Sequence, residues 1–353
     1  MTAASGSLVP LPYTPTDVYH RIGPEARETL RSAYGWMILG RTLDARMQGL
    51  QRQGRVGFYG AATGHEAVNV AAGLSTRKED WIFPGLREPL VALVRGHPLP
   101  RYVQHLFATA HDPSKGRQMP CHPSASEVHH VSISSVIGTQ ITHAVGAAWA
   151  MRLRKASGVA LAFFGDGATS ANDFHAGLNF AGVAGLPVVF VCANNQWAIS
   201  MPVERQSAVA TLAQKASAYG YSGVTVDGTD IVAVLEAFQR VLRESREGSG
   251  PHLIEFRVYR MTPHSSSDDP TRYQPVDWNA RARAHDPVVR LETWLSTVGW
   301  LDDADRAGYA QRASESVRDA IAEAEATPPP SPASLFEDVF SRPLSVPVEI
   351  PRN

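Results

Sequence analysis

Apolar residues along the chain recur with two different periods. Toward the N-terminus, Leu30, Tyr34 and Met37, then Leu43, Met47 and Leu50, follow steps of three and four and predict one long helix. Gly23-Pro24 opens it, because the N–H that proline lacks is not needed in a first helical turn, and Gly54 stops it. Further on, short continuous apolar runs alternate with helical stretches. "GVALAFF" (158–164) and "LPVVFVCA" (186–193) read as buried strands flanking the small-residue helix "DFHAGLNFAGVAG" (173–185). "YSGVTVDG" and "PHLIEFRVYR" carry two more strands. Between those two, Thr229 or Asp230 caps a helix with Ile231, Leu235, Phe238 and Leu242 on one face. Strand, helix, strand at this rhythm predicts parallel pairing with right-handed crossovers.

The organisation follows. Residues 1–22, with three prolines, read as an extended arm. Residues 23–326 read as a single α/β domain that begins with a helical arm and turns helical again after Asp286. "TPPPSPAS" (327–334) opens a linker and tail over 327–353. The stretch from about 120 to 140 is irregular, poor in charge and rich in Ser, His and Pro, which suits a functional loop. The expected fold is α/β, a mostly parallel sheet flanked by helices.

Composition narrows the classes of function. Basic and acidic residues nearly cancel, 33 against 34, so neither nucleic acid nor an anionic membrane is indicated as a partner. No apolar run reaches transmembrane length. Cys121 and Cys192 are far apart and outside any CxxC pattern, which suits a reducing compartment and places the chain in the cytoplasm. The first twenty residues have no basic residue and no long apolar core, unlike a signal or transit peptide.

Candidate chemistry gathers where strands end. Gly165-Asp166-Gly167 directly follows "LAFF", at the rim where parallel sheets bind ligands. Glycine amides and a following helix N-terminus suit a phosphate, yet Asp166 would repel one. A divalent cation between them removes the conflict, with Asp166 as a hard oxygen ligand. Asn194-Asn195 ends the next strand run, at the same rim, and can add oxygen ligands without adding charge. Residues 168–193, which is 26 positions, separate the two signals and hold one helix and one strand. An Asp-Gly turn alone is common, but the paired, strand-terminal arrangement is specific. No GxGxxG opens a helix and no GxxxxGK[ST] occurs, so dinucleotide and P-loop sites fall behind.

GDG, 26 residues and NN resemble the diphosphate motif of thiamine-diphosphate enzymes. The stretches "GRVGFYGAATGHEA" (54–67), "KGRQMPCHP" (115–123), "SISSVIGTQ" (132–140), "KASAYGYSGVTVDGTD" (215–230) and "YRMTPHSSSDDPTRY" (259–273) resemble the α subunits of the first component of branched-chain 2-oxo acid dehydrogenases. The resemblance runs from about residue 15 to about 340. Pyruvate and acetoin relatives usually carry Gly-Gly-Ser-Met-His in place of "GRQMPCHP" and Gly-His-Ser in the late loop, so the branched-chain group is favoured.

The resemblance implies a thiamine-diphosphate-binding fold and a set of roles. Asp166, the Asn195 side chain and the Trp197 carbonyl would bind Mg²⁺, with Gly167 and Ala168 along the diphosphate. Arg87 would pair with the diphosphate, a surface ion pair with Glu88 or Asp80 being the alternative. Ser135 and Ile137 would face the aminopyrimidine, Ile137 propping the cofactor into its bent form. Ser134, Thr139 and Gln140 match positions that hold a potassium ion in some relatives. His264 would reach the diphosphate and the reacting centre, against the alternative of an ordinary loop histidine. His122 and His129-His130 lack any metal-binding spacing, and His175 reads as a packed residue.

Three places depart from the family's pattern. Leu86 stands where a Tyr is frequent, Ala193 where some members have Arg, and Ser170-Ala171-Asn172-Asp173 where Ser-Glu-Gly-Asp is usual. Ser265 stands where some relatives are phosphorylated. The family implies oxidative decarboxylation of a branched 2-oxo acid and transfer of the acyl group to a lipoyl-bearing acyltransferase. A β subunit would supply the activating glutamate within an assembly of two α and two β chains. A pyruvate- or acetoin-type α subunit, or a non-catalytic scaffold of the same fold, are the alternatives.

Overall fold

The computed structural model describes residues 7–338 and 340–342, so expectations for 1–6 and for 343–353 lie outside it. Five strands form one sheet: β1 (Trp81–Phe83), β2 (Ala160–Gly165), β3 (Val188–Asn194), β6 (Gly223–Asp227) and β7 (His252–Arg257). Their order is β1-β2-β3-β7-β6, and every neighbouring pair is parallel. A small antiparallel pair, β4 (Trp197–Ala198) and β5 (Met201–Pro202), follows β3. The expected mostly parallel α/β architecture is what the chain adopts.

Alternation along the buried strands sorts side chains to two faces. Leu161, Phe163, Val189, Val191, Ile254 and Phe256 belong to one core. Ala162, Phe164, Val188, Phe190, Cys192 and Leu253 belong to the other. The first face is covered by α2 (Ala26–Arg52), α3 (Glu66–Ser75), α8 (Ile231–Arg246), α10 (Pro287–Thr297) and α11 (Asp303–Ala326), with α4 (Pro89–Val94) and α5 (Leu99–Leu106) beside them. The second is covered by α6 (Thr139–Leu153) and α7 (Asn172–Ala184). All six periodic residues of the first predicted helix are buried in α2. Asp230 caps α8, its side chain accepting from the Val232 and Ala233 amides.

Two expectations need correction. Residues 1–22 do not form an extended arm throughout, because α1 spans Pro15–Ile22. Thr14 and Asp17 form a reciprocal capping box around Pro15 in the first turn, and Val18 and Ile22 bury one face, so three prolines concealed a short capped helix. His175 is not packed inward. α7 turns Phe174, Gly177, Leu178 and Ala181 to the sheet and leaves His175 exposed, with Nδ1 2.5 Å from the Tyr219 hydroxyl. A short helix, α9 (Trp278–Ala284), precedes α10, and residues 332–336 of the linker form a 3-10 turn.

The irregular 120–140 stretch is partly interior. Its residues 129–131 run parallel to the outer edge of β1, with the Ile82 amide donating to the His129 carbonyl and the Val131 amide to that of Ile82. His130 is thereby buried with neither ring nitrogen partnered among the described residues. Burial holds its pKa down to about 3. The ring is neutral when folded and titrates near 6.5 when unfolded, so its contribution to stability is present above pH 6.5 and lost as pH falls toward 3. At pH 5.5 this site should cost about 1.4 kcal/mol relative to pH 8. His130→Gln should therefore flatten the acid side of the melting-temperature profile between pH 7.5 and 5.5. Parallel profiles for the two proteins would contradict this.

Candidate active site

The carboxyl ends of β2 and β3 open onto a cavity of about 410 Å³. β2 ends in Gly165, and Asp166–Ser170 make a short 3-10 turn before α7 begins. Gly167 is required by proximity: a Cβ there would lie 2.6 Å from that of Ala198. β3 delivers Asn194 and Asn195, and the chain bends back through β4 so that Trp197, Ala198 and Ile199 form the facing wall. Arg87 enters from the segment between β1 and α4, and His264 from the loop after β7.

Arg87, Ser134, Ser135, Ile137, Gln140, Asp166, Gly167, Ala168, Asn195, Trp197 and His264 all line this one cavity. Thr139 does not; it begins α6, and its carbonyl accepts from the Thr142 hydroxyl. The Gln140 side-chain amide donates to the Phe163 carbonyl at 2.9 Å, and the Ser134 hydroxyl accepts from the Val136 amide at 3.1 Å. Asn194 turns away from the cavity, its Nδ2 donating to buried Glu255 at 2.7 Å.

Electrostatics sets the character of the site. Asp166 is buried, and desolvation pushes its pKa up to about 6, against the opposing Gln206 amide that donates to Oδ2 at 3.1 Å. Arg87 is buried as well, and desolvation with the Arg260 charge lowers its pKa to about 10. Among the described residues neither side chain has an ion-pair partner within 4.0 Å. The surface ion pair weighed for Arg87 is not formed. Glu88 accepts the Arg87 backbone amide, at 3.1 Å, and not its guanidinium, and Asp80 pairs with Arg246. The Arg87 guanidinium instead bonds the Ala61 carbonyl and, at 2.7 Å, the His264 carbonyl.

His264 is half-buried, and burial followed by the Arg87 and Arg260 charges holds its pKa down to about 4. Its Nδ1 lies 3.3 Å from Arg87 Nη2, which can only donate, so Nδ1 accepts and the proton sits on Nε2. The loop carrying it is tied down by Asp268, which accepts from the His264 amide at 2.7 Å and the Tyr273 hydroxyl at 2.5 Å. Arg260 donates to the Trp197 carbonyl at 3.2 Å and the Ile199 carbonyl at 2.8 Å, which holds the facing wall in place.

The donor set fits a metal diphosphate. Asp166, Asn195 Oδ1 and a carbonyl that retains a second lone pair are hard oxygen donors suited to Mg²⁺. A buried guanidinium without a carboxylate partner suits an anion. The opposite end of the cavity is apolar, with Phe58, Leu86, Met119, Ile133 and Val136. It has a polar corner in which His122 Nε2 meets the Ser135 hydroxyl at 2.7 Å. The pattern of residue types gave no signal for Gln206, Arg260 or the pairing of His122 with Ser135. His65, inside the quoted stretch 54–67, also lines the cavity and was not singled out. Among the described residues no cluster of three or more His, Cys, Asp or Glu makes a separate metal site.

Comparison with known proteins bears on the same residues. A 3-methyl-2-oxobutanoate dehydrogenase subunit alpha of Mycobacterium tuberculosis (strain CDC 1551 / Oshkosh) is 42% identical over 87% of this chain and 81% of its own length. A 2-oxoisovalerate dehydrogenase subunit alpha 2 of Arabidopsis thaliana is 37% identical over 91% of this chain and 68% of its own. The human 2-oxoisovalerate dehydrogenase subunit alpha is 36% identical over 89% of this chain and 71% of its own. The family described as "Dehydrogenase E1 component" matches residues 34–333, a span that takes in every residue lining the cavity, and to that thiamine-diphosphate-dependent family the chain belongs.

Proposed function

We propose that this chain is the α subunit of a branched-chain 2-oxo acid dehydrogenase, binding thiamine diphosphate through Mg²⁺ and acting with a β subunit on a branched 2-oxo acid. The observation that carries the reading is the pair of opposite buried charges, Asp166 and Arg87, that line one cavity and have no ion-pair partner among the described residues. Bound thiamine diphosphate supplies the carbon nucleophile and electron sink that oxidative decarboxylation of a 2-oxo acid needs.

The chain's own residues bind and orient. Asp166, Asn195 and the Trp197 carbonyl hold Mg²⁺, and a cation beside Asp166 returns its carboxyl to the ionised form that desolvation disfavours. Arg87 holds diphosphate oxygens, and Gly167 lets backbone amides approach them. Ser135 and Ile137, at the other end, face the aminopyrimidine. His264, neutral with its proton on Nε2, can donate a hydrogen bond to the reacting centre and receives no proton from bulk water near neutrality. A potassium ion at Ser134, Thr139 and Gln140 would brace the loop before α6.

An external partner is indicated by exposed apolar surface. Val136 and Ile137 at the mouth are 67% and 62% exposed. Trp149 and Leu153 on α6, with Phe180 and Val183 on α7, are also exposed, so each helix carries large apolar side chains on the side away from the sheet. Such a surface suits a protein interface. A β subunit, in an assembly of two α and two β chains, would cover it and add the carboxylate that activates the aminopyrimidine. A lipoyl-bearing acyltransferase takes the acyl group. The two buried, unpaired thiols accord with a cytoplasmic location.

Two outcomes are expected. The chain co-expressed with its β subunit should reduce an artificial electron acceptor with 3-methyl-2-oxobutanoate in preference to pyruvate, only with Mg²⁺ and thiamine diphosphate present. A pyruvate preference would move the chain to the alternative subgroup, and no turnover would favour the scaffold reading. In the same assembly Asp166→Ala should abolish Mg²⁺-dependent thiamine diphosphate binding, whereas Arg87→Ala should weaken it roughly tenfold to a hundredfold, about 1.4–2.8 kcal/mol. Calorimetric titration checks both, and wild-type-like binding by Asp166→Ala would remove the metal assignment.

A further inference from the structure

His65 lies in the cavity wall with no role so far. It occupies the turn that starts α3, yet its side chain makes no capping hydrogen bond to that helix. The turn is closely constrained. Gly64 has φ +98, and a Cβ there would sit 1.9 Å from the Tyr259 carbonyl oxygen, so only glycine allows this approach. Glu66 accepts the Gly64 amide at 2.7 Å and Arg41 Nε at 2.6 Å, and Arg41 also binds Asp286 at 2.9 Å. Three segments of the chain thus fix where the imidazole points.

It points at Asn195. Asn195 Oδ1 accepts from the Trp197 amide at 3.2 Å, while its Nδ2 faces His65 Nε2 at 3.5 Å, the outer limit for a hydrogen bond. The reversed amide would set Nδ2 against the Trp197 N–H, donor against donor. The Trp197 N–H therefore selects the orientation, which sets Nδ2 toward the Nε2 lone pair and leaves Oδ1 a second lone pair for a cation. An imidazole that accepts through Nε2 carries its proton on Nδ1, and Nδ1 is buried without a partner among the described residues. Leaving a donor in that state costs about 1–3 kcal/mol. The Asn195 amide is the one polar group within hydrogen-bonding reach of the ring among the described residues.

We propose that His65 is a positioning residue for the metal site, its Nε2 lone pair holding the Asn195 amide so that Oδ1 is presented to the cation. This rests on the reading that Asn195 ligates Mg²⁺. Outer partners of metal ligands typically govern metal affinity by about ten- to a hundredfold, which sets the scale of the test.

The test is a Mg²⁺ titration of the α–β complex at fixed thiamine diphosphate, followed by tryptophan fluorescence, with melting temperature measured on the metal-free complex. His65→Leu should raise the Mg²⁺ concentration at half-saturation about tenfold or more while the metal-free melting temperature holds. His65→Gln, whose Oε1 can accept from the same amide, should recover most of the loss. In an Asn195→Ala background His65→Leu should add nothing, since the two act through one contact. A His65→Leu protein that titrates like wild type overturns the proposal. So does a Gln variant as weak as Leu, or a loss that appears equally in metal-free stability and in the Asn195→Ala background. A wild-type complex that binds thiamine diphosphate without regard to Mg²⁺ removes the reading of Asn195 itself, and the proposal with it.

Discussion

Two buried charges of opposite sign that do not touch each other govern this structure. An ionised carboxylate or guanidinium taken out of water costs several kcal/mol unless it is paired. Asp166 and Arg87 are both nearly inaccessible, and both have pKa values displaced toward the neutral form by desolvation. The folded chain could have lowered this cost by bringing the two together. It holds them instead on different walls of one cavity, Asp166 at the end of β2 and Arg87 in the segment after β1. Only a ligand that is cationic on one side and anionic on the other satisfies both at once, and a metal diphosphate is such a ligand.

The rest of the fold supports that separation. Parallel pairing sends the ends of β2 and β3 to the same rim, which brings Asp166 and Asn195 together although a helix and a strand lie between them in sequence. Arg260, itself buried, binds carbonyls of the facing wall, so the bend after β3 is held by a cation as well as by the short β4–β5 pair. Burial, reinforced by the charges of Arg87 and Arg260, keeps His65 and His264 neutral. The two guanidiniums therefore share one region: Arg260 holds the wall, and both add to the effect of burial on the two imidazoles.

Much of this was legible in the chain because its signals are local. The period of α2, the apolar runs of β2, β3 and β7, and the cap at Asp230 each reflect neighbours a few residues apart. Asp166 and Asn195 were visible because each ends a strand. Arg87 and His264 came only through family resemblance, since nothing adjacent to either predicts its burial. The contributions of Arg260, Gln206 and His65 arise from contacts across 40 to 130 positions of sequence, which no periodicity encodes. α1 was missed for the opposite reason: a local capping box outweighed a composition that suggested extended chain. β1, at three residues, is too short to show a pattern and owes its place to pairing with β2 on one side and residues 129–131 on the other.

The open side of the cavity follows from the same economy of helices. α6 and α7 spend their inner faces on the sheet, yet their outer faces still carry Trp149, Leu153, Phe180 and Val183, and α6 has no Asp, Glu, Lys or Arg before Arg152. Large apolar side chains gathered on the outward side of neighbouring helices suit a covering partner. α6 also begins directly after Val136 and Ile137, the exposed residues at the mouth. A partner that covers the first turns of α6 would therefore lie close to the cavity entrance. A chain that holds two buried charges at one cavity and leaves large apolar side chains exposed near its mouth has the character of a subunit that acts on assembly.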